Sequence, residues 1–273
     1  MNAVLRQGRT RGLIELRQSL TNAADLFNHC FWPALMIVTL YFMRHRHFGD
    51  YPLGMLVLPG ILGMNASMAM VTMSQTLTAD REDGTLLRAK ATPGGVGAYL
   101  IGKVVSVSGG LLVDLAIFLV PALLLIPGIA FNNPTALWVL ALGLLATLPL
   151  GAVLGSVFGS ARAQGLLTLP VLAVIAISGI FYPITVLPGW LQGVAQCFPV
   201  YWLGLGMRSA LLPAGAVAVE IGDSWRHLET AAVLGAWAVA GLLVAPTVLR
   251  RMARRESGSA VAARRERALQ RAA

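Results

Sequence analysis

The chain has 273 residues, 56% of them hydrophobic and 12% charged, with a formal net charge of +9 and a mean hydropathy of +0.71. Apolar runs recur at a length of about 20 residues, enough helix to cross a hydrocarbon core of roughly 30 Å, so a soluble domain is excluded. The runs are too long and too uniformly apolar for barrel strands, and the positive balance accompanies no recognition motif, so neither a barrel nor a nucleic-acid partner is expected.

In chain order, residues 1–25 interleave Arg6, Arg9, Arg11 and Arg17 with Leu13, Leu16 and Leu20. The leucine spacing predicts an amphipathic helix lying at the cytoplasmic interface. No short apolar region with a small-residue cleavage site follows, so no cleavable signal peptide is expected. Six membrane spans are predicted near 26–43, 52–76, 98–126, 136–159, 165–187 and 229–249, giving one transmembrane domain over 26–249. Between the fifth and sixth lie two apolar stretches bounded by Pro188, Pro199 and Pro213, each too short to cross. They read as re-entrant external helices over 188–212, with Trp190, Tyr201 and Trp202 suited to an interface belt. A basic tail, 250–273, reads as a lipid-facing anchor. The fold expected is thus an all-α membrane protein with six transmembrane helices. Arginine and lysine crowd the N-terminus, the 80–93 segment, Arg162 and the tail, against Arg44, Arg46, Arg208 and Arg226 on the other side. The positive-inside rule then puts both termini in the cytoplasm. Cys30 and Cys197 fall near opposite faces, so no disulfide is expected.

Residues 80–93 read Asp-Arg-Glu-Asp-Gly-Thr-Leu-Leu-Arg-Ala-Lys-Ala-Thr-Pro, a charged island between apolar runs. Gly84 is placed to interrupt the helix leaving the second span, and Thr85 to cap a short helix from Leu86 to Ala91. Thr92-Pro93 stops that helix, because the residue before proline avoids the α region. Leu86 and Leu87 stand near its start, with Arg88 and Lys90 presented to the cytosol. Such a helix suits a partner's groove; a solvated loop that fixes topology is the plainer reading of the same residues.

The second span carries Asn65, Thr72 and Thr76 at near-helical spacing, Ser67 and Ser74 likewise, with Met64, Met68, Met70 and Met73 among them. This is either the wall of a substrate path or a set of interhelical hydrogen bonds. Asp114 lies well inside the third span, where a carboxylate must face protein or water. It reads as a structural hydrogen-bonding group or as an attractor for a cationic substrate. Gly97 to Lys103 imitates a phosphate loop, but no strand precedes it and Val104 replaces the hydroxyl residue, so nucleotide binding is rejected. Lys103 is expected to snorkel toward headgroups. His45 and His47 lack a third metal ligand.

The pattern Arg81-Glu82-x-Gly84-Thr85-Leu86, followed by Thr92-Pro93, resembles the cytoplasmic coupling segment of ABC-2-type transporter permeases, with Ala89 smaller than the residue relatives often place there. Ser178-Gly179-Ile180-Phe181-Tyr182-Pro183 and Leu187-Pro188-Gly189-Trp190-Leu191 resemble the fifth span and external helices of drug-exporting members. The resemblance covers nearly the whole chain. It implies the permease subunit of a bacterial cell-membrane exporter of hydrophobic or amphiphilic substrates, working by alternating access. It implies a homodimer or heterodimer bound to separate ATPase subunits, which use the ATP and Mg, so that this chain binds no cofactor and is not itself an enzyme. The coupling residues are then Arg81, Glu82, Gly84, Thr85, Leu86, Leu87, Arg88, Thr92 and Pro93. The substrate path comprises Asn65, Met68, Thr72, Asp114, Phe181 and Tyr182, and the outer gate Trp190, Tyr201 and Arg208. The alternatives are an ATP-independent secondary transporter, which would show internal repeats, and a membrane-embedded enzyme, which would need convergent polar groups beyond Asp114.

Overall fold

The computed structural model describes residues 2–48, 51–92, 94–126, 128–129, 131–158 and 161–255. Pro93, Gly159 and the tail from 256 onward lie outside the described residues. Ten α-helices account for most of these residues: α1 (Asn2–Thr21), α2 (Ala23–Met43), α3 (Leu53–Glu82), α4 (Thr85–Lys90), α5 (Gly95–Leu125), α6 (Asn133–Val157), α7 (Ala161–Ile177), α8 (Gly189–Gln196), α9 (Pro199–Leu211) and α10 (His227–Arg255). A two-residue antiparallel pairing, β1 (His47–Phe48) with β2 (Tyr51–Pro52), turns the chain between α2 and α3.

Among the described residues, five helices are long and apolar enough to cross a bilayer: α2, α3, α5, α6 and α10. The fifth predicted span, 165–187, is shorter than expected. Its helix, α7, ends at Ile177, where Ser178 Oγ donates to Ile175 O and Gly179 takes a φ of +63°. The chain continues through a turn into a 3-10 segment, Ile184–Val186. Each of these five helices and α7 carries an internal proline, at 33, 59, 121, 149, 170 and 246. A proline deletes one backbone hydrogen bond, which neighbouring helices in a bundle can tolerate. Local signals set the helix starts. Asn22 Oδ1 accepts from the backbone N–H groups of Ala24 and Asp25, and Asn132 Oδ1 from that of Thr135 with Pro134 in the first turn.

The bundle is organised around α3, which packs on α5, α6, α7 and α9. Leu58, Ala66, Met73 and Leu77 along α3 are fully buried. The other half of the core is α9. Short as it is, nearly all of its residues are buried, because it is inserted among α3, α6 and α10. On α6, Gly151 and Gly155 meet the backbones of Met70 and Ser74 on α3.

The N-terminal helix differs from the leucine-faced element expected. It lies lengthwise on the first half of α5, running the same way: Gly8 faces Ala98 and Ile101, Gly12 faces Gly102 and Val105, and Leu16 faces Gly109. A Cβ on Gly12 would stand 2.5 Å from the Gly102 carbonyl oxygen, so glycine is what permits the approach. Gly8 and Gly12 are the buried positions of the packed stripe, with Leu16 and Leu20 half-buried, while Leu5, Leu13 and Ile14 stay exposed.

Candidate functional site

The charged island begins as the last turn of α3. Gly84, buried and at φ +80°, reverses the chain in a conformation that costs any other residue strain. Gly84 rather than Thr85 holds the N-cap position of the short helix, and Asp83 Oδ1 accepts the Thr85 N–H at 2.7 Å. Thr85 is the first helical residue, and its hydroxyl accepts from Arg88 Nη2 at 2.9 Å. At the other end Thr92 Oγ1 donates to Ala89 O at 2.7 Å.

The reversal folds α4 back under α3 and α5, and this corrects the expected presentation of its apolar side. Leu86 is 1% exposed and Ala89 2%, both turned into the chain's own core. The small Ala89 is what fits there. Leu87, half-buried, and Arg88, exposed, are left on the outer face with Thr85 at its edge. Lys90 is directed to the last helix, its Nζ donating to Ala253 O at 2.8 Å. Arg81 also points inward: its Nη1 donates to Gly155 O and Ser156 O, both at 3.3 Å, satisfying carbonyls that α6 leaves orphaned at its C-terminus. Glu82 is half-buried on the last turn of α3.

Two polar knots fix this end of the bundle. In one, Ser74 Oγ donates to Gln164 Oε1 at 2.9 Å, and Gln164 Nε2 donates to Thr78 Oγ1 at 2.8 Å and Phe158 O at 2.9 Å. This binds α3, α6 and α7. In the other, Lys103 is buried and does not reach for headgroups as expected, because two acids compete for it. Its Nζ lies 2.8 Å from Asp80 Oδ2 and 3.0 Å from Glu15 Oε2. Tyr99 donates to Asp80 at 2.6 Å, and Arg11 pairs with Glu15 at 2.9 Å. The second knot joins α1, α3 and α5 directly above α4.

Four of the six residues predicted to line a path come together. Asn65, Met68, Thr72 and Asp114 line one cavity of about 180 Å³ between α1, α2, α3 and α5, with Thr76, Ser106, Ser19 and His29. Asp114 Oδ1 meets His29 Nδ1, and His29 Nε2 lies 3.1 Å from Ser19 Oγ. Asn65 Nδ2 donates to Ile61 O at 2.8 Å. Ser67 and Ser74 face the opposite side of α3 and are fully buried in helix contacts. The sequence pattern singled out neither His29 nor Ser19. The available signal was Asp114 itself, since a carboxylate inside a span demands a partner.

Phe181 and Tyr182 stand elsewhere. They line a separate cavity of about 290 Å³ at the α9 end, with Leu53, Leu56, Arg208 and Glu220. The Tyr182 hydroxyl donates to Ala176 O, closing the turn after α7. Arg208 is held by a buried fork: Nε to Glu220 Oε1 at 2.6 Å, Nη2 to Oε2 at 3.3 Å, and Nη1 donating to Gly179 O at 2.9 Å. It ties α9 to the turn after α7 and to the segment before α10. Tyr201 is fully buried on the same helix, while Trp190 on α8 is 71% exposed. Of the three residues predicted as a gate, Tyr201 and Arg208 are thus buried on α9 and Trp190 is exposed on α8.

A long-helix bundle with a reversed charged helix at one end and a buried short helix at the other defines a multi-pass membrane protein. The sequence profile of the ABC-2 type transporter family matches residues 11–212, and the chain belongs to that family. It is the membrane permease component of an ABC transporter. No curated protein matches the chain significantly.

Proposed function

We propose that this chain is the permease subunit of an ATP-driven exporter, with α4 receiving the stroke of a separate ATPase. On this reading α7 crosses the bilayer as a sixth span, both termini are cytoplasmic, and two permeases pair over two ATPase subunits that bind the ATP and Mg. The single observation that carries it is the construction of α4. A glycine-reversed helix ends between α3 and α5, its inner face locked to the bundle and its outer face leaving Leu87 and Arg88 for a partner. A push on that face moves α3 and α5 together, because the knot of Asp80, Lys103 and Glu15 joins them to α1. The cavity holding Asn65, Met68, Thr72 and Asp114 lies between these same helices, so a rigid-body shift would open it to alternate sides. The α8–α9 pair serves as the re-entrant outer element, and the substrate is hydrophobic or amphiphilic.

The test is ATP-dependent efflux from cells and the ATPase activity of the co-purified complex. Gly84→Ala forces a buried αL residue, a strain of about 1–3 kcal/mol. It is expected to leave the chain in the membrane, abolish efflux and release ATP hydrolysis from substrate control. Wild-type efflux in this variant would remove α4 from the coupling role.

A further inference from the structure

Most hydroxyl and amide side chains within the bundle spend their hydrogen bonds on the protein. Ser67, Thr78, Ser108, Thr147 and Thr168 all donate to helix carbonyls. The cavity between α1, α2, α3 and α5 departs from this. Asp114 commits Oδ1 to His29 and Asn65 commits Nδ2 to Ile61, but Asp114 Oδ2, Asn65 Oδ1 and the hydroxyls of Thr72 and Ser106 take no partner among the described residues. Two of these four groups accept hydrogen bonds only, and the hydroxyls can accept as well. The lining holds one acid and no lysine or arginine. Nearby cations are spent: Lys103, one turn before Ser106 on α5, is paired with Asp80 of α3 and Glu15 of α1, and Arg11 is paired with Glu15. Asp25 sits one turn before His29 on α2, outside the lining.

We propose that this cavity binds a protonated amine, its N–H groups donating to Asp114, Asn65 and the Thr72 and Ser106 hydroxyls. The inference rests on the reading of this cavity as part of the export path and names the substrate class. An ammonium group supplies several donors and a charge opposite to that of the Asp114 carboxylate. About 180 Å³ takes a headgroup and a short stem against Met68, Ala69, Val107 and Leu111. The remainder of an amphiphile would stay among the apolar surfaces outside.

The experiment is equilibrium binding of radiolabelled dodecylamine to the full chain in nanodiscs, with empty nanodiscs subtracted, at pH 7. Dodecanol is the uncharged competitor. Binding should be saturable, and Asp114→Asn should cost at least tenfold. Thr72→Val, at an exposed position, should cost a few-fold and serves if Asp114→Asn does not fold. Equal binding by these variants, or displacement by dodecanol as effective as by unlabelled dodecylamine, would overturn the site. Because binding is read without ATP or a partner, intact binding with no dodecylamine efflux fails the path reading alone. Efflux of dodecylamine by a variant that no longer binds it fails this site alone.

Discussion

Arg208 and Glu220 form a buried ion pair whose worth lies in its completeness. Three of the guanidinium's donors and both carboxylate oxygens are engaged, with side chains 7% and 1% exposed. Removing one partner from such a pair costs about 3–5 kcal/mol, because the other charge is left buried alone. Arg208→Ala should therefore lower thermal stability in detergent sharply, and Glu220→Leu added to it should recover much of the loss. A single variant as stable as wild type would show that water reaches the pair. A lone arginine on an apolar helix invites a functional reading from sequence. The acid that satisfies it sits 12 residues away in a segment without regular periodicity, which is why the pairing was not legible. The same limit hid His29, 85 residues from Asp114. Gly84 was legible, since a glycine between a long apolar helix and a leucine pair has few other uses. The cap position passed to Gly84 because the left-handed turn starts the helix one residue early, at Thr85, whose free N–H Asp83 accepts.

At the scale of elements, the long helices were readable from length and hydropathy, and their observed ends fall within a few residues of the expected ones except at the C-terminal ends of α3, α7 and α10. α3 continues six residues past the predicted span end at residue 76 because its charged final turn finds partners in α6. α7 stops ten residues before the predicted end at residue 187 because 178–187, though apolar, turns on Gly179. Hydropathy counts apolar residues and cannot see such a turn. The stripe by which α1 is attached went unread for the opposite reason, because glycines contribute nothing to an amphipathic pattern. Gly12→Val should prise α1 from α5, since even its Cβ would stand 2.6 Å from that of Val105. Faster amide exchange through residues 8–19, with the remaining helices protected, is the expected result. Exchange in α1 equal to wild type would mean that the contact at Gly12 does not hold the helix.

On the whole-molecule scale, the chain concentrates polar structure at the end bearing α4. There the two knots bind α1, α3, α5, α6 and α7 into one unit, and α4 reaches α10 through Lys90. The opposite end is held by α9 and the Arg208 fork. Between them lies the polar cavity against α3. Such an arrangement suits force applied at one end, and in the proposed function a partner ATPase is the source of that force. The central claim is that the partner reads the outer face of α4. It is tested most directly by photo-crosslinking in the native membrane, with the probe placed in turn at positions 86, 87, 88 and 89 and the captured protein identified by mass spectrometry. Probes at Leu87 and Arg88 should capture a subunit with a phosphate-loop ATPase signature, and probes at the buried Leu86 and Ala89 should not. Capture from Leu86 and Ala89, or no ATPase from any of the four, would contradict the account.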